Sequence, residues 1–138
     1  MTTARATLGR QERIKSRKTV EQLFAGGKSR SLADFPLRVI YMQVQRTADE
    51  APVQMMVSVS KRHFKHAVQR NRVKRQVREA YRLNKQMLND AVAQQSDTIL
   101  RLAFVWQADK LFSSTAVHQH MRTLLQRMAE KLAQQSKS

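Results

Sequence analysis

KRHFKHAVQRNRVKRQVREAYR, residues Lys61 to Arg82, holds nine of the chain's 26 lysines and arginines and a single acid, Glu79. Placed at 100° per residue, Val73, Val77, Ala80, Tyr81, Asn84 and Leu88 gather on one side, and Asn71, Arg75, Arg78 and Arg82 on the other. The spacing predicts a helix with a core face and a basic face. Nine like charges within 22 residues repel one another. An ordinary solvated face leaves that repulsion without a recipient, whereas a polyanion supplies one.

The basic residues differ in kind as well as in number. Arginine offers a planar fork for bidentate contact with phosphate or a base edge, lysine a compact charge, and asparagine both a donor and an acceptor. Arg70, Asn71, Arg72, Lys74 and Arg75, with Lys61 and Arg62 upstream and Arg78 and Arg82 downstream, are therefore the candidate polyanion-contacting set. Arg70 projects nearer the apolar side than Arg75, which predicts a structural share for it, pinned to a loop or a strand end.

Outward from this helix, 138 residues fit one domain, with a basic arm expected over 1–11, an α+β domain over 12–133 and a tail over 134–138. Ser16 is placed to cap a short helix carrying Val20, Leu23 and Phe24, which Gly26 and Gly27 stop. Lys28 to Leu32 reads as a connection. Phe35 to Gln45 and Val53 to Ser60 read as two strands of an antiparallel hairpin, with Pro36 at a strand start or edge and an acidic turn over Thr47 to Pro52. Helix continues after Phe64 until Asn89 and the segment Asp90 to Asp97 end or bend it. Thr98 to Trp106, TILRLAFVW, is almost continuously apolar, as a strand buried on both faces requires, and is expected at the sheet's centre. Ser113 or Ser114 then caps a long helix carrying Val117, Met121, Leu124, Leu125, Met128 and Leu132. The βαβ unit through the basic helix would be right-handed on general grounds.

Composition narrows the function. A formal charge of +16 and a pI near 11.4 accompany 41% apolar residues, so a folded domain carries a large positive field, and that field calls for nucleic acid ahead of an anionic membrane. The absence of cysteine excludes disulfides and thiolate metal sites and fits a reducing cytoplasm. The N-terminus lacks the apolar core of a secretion signal, and no run of about 18 apolar residues occurs. His63 and His66 have no carboxylate or cysteine nearby in sequence, so no metal site is expected. The ten acids are scattered. No nucleophile-base pair or carboxylate pair supports catalysis by the protein itself.

A second candidate region lies toward the N-terminus. Phe24, Phe35 and Tyr41 can line a groove beside the first helix and stack on unpaired bases, although aromatic residues at such spacings are more often core. Lys15, Arg17, Lys18, Lys28, Arg30 and Arg38 interleave with them, the combination of stacking and charge that single-strand sites use.

The residues SVSKRHFKHAVQRNRVKRQVREAYR, from Ser58 to Arg82, resemble the signature of the bacterial ribonuclease P protein family. Ser58 to Lys61, Ala67, Arg70 to Arg75 and Arg78-Glu79 are in register with it. Arg13-Ile14-Lys15, Phe24, Gly27 and Lys28 are similar to its N-terminal pattern, and the likeness spans roughly Arg13 to Leu132. Val20 stands where relatives commonly carry an aromatic residue, and Met56 where they commonly carry glycine. The resemblance implies an α+β domain of order α-β-β(-β)-α-β-α, with helices on a mixed four-stranded sheet, like ribosomal protein S5 domain 2, and a left-handed βαβ crossover. It implies that an RNA subunit hydrolyses precursor tRNA with magnesium ions, releasing the 5′ leader. The protein would bind that RNA through the Arg70 to Arg75 cluster as a monomer in a 1:1 complex, and would hold the leader with Lys15, Arg17, Val20, Phe24, Lys28, Arg30, Phe35, Arg38 and Tyr41. It would take no small-molecule substrate. Composition alone fits a ribosomal-type RNA-binding protein equally well, and a DNA-binding reading lacks a helix-turn-helix around the basic helix.

Overall fold

The computed structural model describes residues 9–46, 51–93 and 97–136. Residues 1–8, most of the expected arm, lie outside the described residues, as do 47–50 of the expected acidic turn. Arg10–Glu12 form a 3-10 turn, and the last helix, expected to fray from Gln134, runs to Ser136.

Four strands, β1 (Arg30–Asp34), β2 (Leu37–Gln45), β3 (Val53–Ser58) and β4 (Thr98–Trp106), form one sheet in the order β1-β2-β4-β3. β4 is central, as its apolar run requires. It pairs antiparallel with β2 and parallel with β3. The expected hairpin of β2 with β3 is therefore wrong: β4 separates them, and β2 turns back instead on β1, pairing Arg30 with Tyr41 through to Asp34 with Leu37. Alternation reports which face a residue takes, not which strand lies beside it. The expected connection over Lys28 to Leu32 is corrected too, since the chain is already a strand from Arg30. Pro36 sits in the β1–β2 turn after a cis Phe35-Pro36 bond, and its carbonyl accepts from Gln107 N at 2.8 Å.

Cross-strand partners share a face, so the register assigns every side chain to one side of the sheet. On one side Leu37, Val39, Tyr41, Met55, Leu102, Phe104 and Trp106 are buried beneath three helices, α2 (Ala67–Asn84), α3 (Gln86–Ala93) and α4 (Ser114–Ser136). Val73, Val77, Ala80 and Tyr81 are fully buried from α2, and Leu88 from α3, matching the predicted core side of the helix. The helix breaks at Lys85 and resumes to Ala93, earlier than the bend expected at Asn89. Ser113 Oγ accepts from Ala116 N at 3.2 Å and so caps α4.

The opposite side carries a smaller apolar cluster. Leu23, from α1 (Arg17–Ala25), packs on Met42 and Ala103, with Ile14, Ile40, Val44 and Met56 around them. Ser16 Oγ accepts from Thr19 N at 3.4 Å at the start of α1. Gly26 ends it at a φ of 83°, a left-handed conformation that side chains with a Cβ resist. Ahead of α1, Arg13 forms a parallel bridge to Met55, and Ile14 N donates to Met55 O at 2.9 Å. This short segment covers part of the outer edge of β3.

Candidate nucleic-acid interface

α2 presents its charges from a backbone that the buried Val73, Val77, Ala80 and Tyr81 fasten to the sheet and to α4. Gln76 adds a polar tie, donating from Nε2 to Phe112 O at 3.1 Å and to Ser114 Oγ at 3.3 Å. Asn71, Arg72 and Arg75 are exposed, and Lys74 and Arg78 are half-buried. Of the side that the helical spacing predicts to face outward, Asn71 and Arg75 are exposed and Arg78 and Arg82 are half-buried.

Three members of the expected set have additional or different duties. Arg70 Nη1 donates to Phe64 O at 2.9 Å and to Lys65 O at 2.8 Å, clasping the loop before α2. The predicted structural share of this residue is thus visible. Arg82 is engaged with Glu79 one turn back, its Nε lying 3.0 Å from Glu79 Oε2. That hydrogen bond raises the arginine above its ordinary value and holds the Glu79 carboxyl below its own. Arg78 turns toward the segment before α1; burial first, and the nearby Arg13 second, hold it below the usual arginine value.

Lys61 and Arg62 project from the turn that follows β3. Ser60 shapes this turn, its Oγ accepting from Arg62 N at 3.1 Å and its carbonyl from His63 N at 3.1 Å. Phe64, 5% exposed, anchors it in the core. His63 has the carboxylate that its local sequence lacks: its Nδ1 lies 2.7 Å from Asp109 Oδ1.

The expected groove beside α1 is only partly assembled. Lys15, Arg17, Phe24 and Lys28 are exposed on α1 and its flanks, and Val20 is half-buried. Arg38 joins them on the α1 side of the sheet, donating from Nη2 to Ser31 Oγ at 3.4 Å and lying in one cross-strand row with Val105 and Ser58. Tyr41 lines a pocket with Lys28 and Arg30, but its ring is turned from α1. It is 4% exposed within the opposite core, and burial, opposed by Arg30, lifts its phenol above the ordinary value. Arg30, its cross-strand partner, shares that side. Phe35 is 59% exposed in the β1–β2 turn, but its ring meets Phe112 edge-on at 6.2 Å, near Trp106 and His120, rather than α1. Odd and even positions of β2 go to opposite faces, and the aromatic count along the segment conceals that parity.

Comparison with known proteins decides the family. The profile of the family described as Ribonuclease P matches residues 8–129. The chain belongs to the ribonuclease P protein family. The ribonuclease P protein component of Porphyromonas gingivalis is 41% identical over 129 residues, covering 92% of this chain and 91% of that protein. The component from Chlorobaculum tepidum is 37% identical over 107 residues, covering 73% and 68%. Solved ribonuclease P proteins share the fold. A Staphylococcus aureus mutant superposes with a TM-score of 0.63 at 19% identity, covering 85% of this chain and 87% of that one. The Thermotoga maritima protein gives 0.62 at 20% identity, covering 84% and 96%. The family places the chain as a subunit of an endoribonuclease, and the small α+β domain with a mixed four-stranded sheet is the fold of those relatives.

One contributor escaped the sequence reading of the site. Arg13 enters the family pattern there but not the set of candidate contacts, and it lies beside Arg78. The signal was the alternation Arg13-Ile14-Lys15, an extended segment with its apolar residue on one side and its charges on the other.

Proposed function

We propose that this chain is the RNA-docking and leader-holding subunit of ribonuclease P. The exposed array Asn71, Arg72 and Arg75, with Lys61, Arg62 and Lys74, binds the catalytic RNA, and the observation carrying this is its rigid mounting on four fully buried α2 side chains. A preset array of forks meets phosphates without ordering itself first. On the same reading the α1 side, with Phe24, Val20, Arg17, Lys28 and Arg38, holds the single-stranded 5′ leader of precursor tRNA. Endonucleolytic removal of the leader is assisted by this grip.

Hydrolysis and its magnesium ions belong to the RNA on this reading. Among the described residues no three His, Asp or Glu side chains gather in one place. The protein's part is to bind, to orient the leader and to neutralise phosphate charge. It acts as a monomer, one per RNA, in the cytoplasm. Among the described residues no helix is long and apolar enough to cross a membrane.

Sequencing the RNA that the full chain retains from its own cells at moderate salt tests the assignment. One stable noncoding RNA that cleaves precursor tRNA is the expected result. Ribosomal RNA in its place would overturn the assignment in favour of a ribosomal-type binding protein.

A further inference from the structure

Phe35 is displayed in the β1–β2 turn, 59% exposed, while the residues around it are tied down one by one. Ala33 O accepts from Arg127 Nη1 at 2.8 Å, Asp34 Oδ2 lies 2.7 Å from His120 Nδ1, and Pro36 O accepts from Gln107 N at 2.8 Å. A turn held at three points cannot fold its ring away, so the fold itself keeps a large apolar side chain in water. Such exposure marks a surface that meets something else.

Phe112, half-buried between β4 and α4, completes the feature. Its ring lies 6.2 Å from that of Phe35 with 71° between the planes, so the two form a steep corner, backed by Trp106 at 5.5 Å from Phe112. The surroundings are cationic. Lys110 Nζ stands 5.3 Å from the Phe112 centroid, and Lys61 and Arg62 project from the turn that the His63–Asp109 contact fastens to the same connection. The acids of these connections, Asp34 and Asp109, each face a histidine at 2.7 Å. The corner is also continuous with α2. Gln76 donates to Phe112 O at 3.1 Å, and because β3 and β4 run parallel, the start of α2 and the corner lie at the same end of the sheet.

We propose that the corner of Phe35 and Phe112 stacks one unpaired nucleobase of the catalytic RNA that α2 docks. Two rings are far smaller than the roughly 800 Å² per partner of a stable protein interface, but they match one flat heterocycle. A base lying on the open Phe35 ring would meet Phe112 edge-on, and aromatic pairs favour both arrangements. Its phosphates would then fall among Lys110, Lys61 and Arg62. Bases inside a helix have their faces covered by their neighbours, so the ligand is a nucleotide from a loop, bulge or junction. Continuity with α2, and separation from α1, assigns it to the catalytic RNA ahead of the leader. This inference rests on the proposed function and adds to its phosphate contacts one made through a base.

Affinity of the full-length protein for the cognate RNA subunit, measured across salt concentrations for wild type, Phe35→Leu and Phe35→Trp, tests the stack. Phe35→Leu keeps an apolar side chain and loses the ring; it should bind about five- to a hundredfold more weakly, with an unchanged salt slope because no phosphate contact is lost. Phe35→Trp should bind at least as well as wild type. Ultraviolet crosslinking of the wild-type complex, with precursor tRNA present, should leave a nucleotide of the RNA subunit on the peptide that carries Phe35. Equal affinity of Phe35→Leu and wild type, a loss that Phe35→Trp does not restore, or an adduct from the leader in place of the RNA subunit would each overturn the proposal. So would a dimer of the free chain that Phe35→Leu dissociates while RNA affinity stays unchanged, which would assign the rings to a second copy. Failure of the wild type itself to bind that RNA would strike the proposed function and this inference together, whereas an unaffected Phe35→Leu strikes this inference alone.

Discussion

Arg70 and Arg72 are two positions apart in the same basic run, yet they carry different burdens. Arg70 is half-buried and closes two carbonyls of the preceding loop at 2.9 and 2.8 Å, while Arg72 is exposed on the outward array. Charge-assisted hydrogen bonds to a partly buried group are worth about 1.5 to 3 kcal/mol, so Arg70→Ala is expected to lower unfolding stability by about 1 to 3 kcal/mol. Arg72→Ala should stay within about 0.5 kcal/mol and instead weaken RNA binding. Denaturant unfolding of both variants checks this, and equal stability losses would refute the division. Phe24, 44% exposed at the end of α1, poses a related question for the leader. Phe24→Ala should weaken leader-bearing precursor by about five- to a hundredfold, the cost of one base stack, and leave mature tRNA almost unaffected. Equal losses on both RNAs would point to a folding defect instead. The tyrosines supply a pH test. Burial lifts both phenols, Tyr81 far more, with the Glu12 charge adding to it. In the unfolded chain tyrosine deprotonates near pH 10, so this stabilisation is full below that pH and is lost as pH rises toward the folded values. Phenolate absorbance from Tyr81 is expected only with alkaline unfolding. Both tyrosines titrating near pH 10 while the far-ultraviolet dichroism stays native would contradict the packing of Tyr81.

At the scale of elements, the helices, three of the strands and the central place of β4 are legible, and the pairing of the strands is not. The 3.6-residue period of α2 and α4 fixed their buried sides, because a helix satisfies its backbone internally and its side-chain pattern is local. Strand neighbours are non-local. Val53 to Ser58 alternates clearly, but nothing in that alternation says that β4, some forty residues later, pairs with it ahead of β2. β1 was hidden because Leu32 is its one buried residue, too little to mark a period. The break at Lys85 escaped for the opposite reason: the apolar series continues through Leu88 and Val92 across it. The α1 stop was legible in Gly26-Gly27, and the structure separates their roles. A Cβ on either meets open space, but only Gly26 has positive φ, at 83°. Gly26→Ala should therefore cost about 1 kcal/mol, while Gly27→Ala should stay within about 0.5 kcal/mol. Thermal unfolding of the pair distinguishes them, and a larger loss at Gly27 would contradict the cap.

Across the whole molecule, a net charge of +16 is mounted on a core assembled from both sides of one sheet. The basic cluster and its outward set were readable because density and helical phase are both sequence properties. The α1 side was half-readable: which aromatic reaches it depends on sheet parity, and parity sends Tyr41 into the other core. The N-terminal contribution of Arg13 needed the bridge to Met55, a contact between segments about forty residues apart. What unites these parts is the claim that α2 is a rigid phosphate-reading face for a catalytic RNA. Its most direct test is single-turnover cleavage of precursor tRNA by the cognate RNA subunit at low magnesium, with wild-type protein and with the Arg72→Ala, Arg75→Ala double variant, whose fold is first confirmed by unfolding. The wild type should accelerate cleavage, and the double variant should require at least about tenfold more protein, with a salt slope reduced by roughly 1.4 to 1.8 for two lost phosphate contacts. Equal half-saturating concentrations and equal slopes for the two proteins would contradict the account.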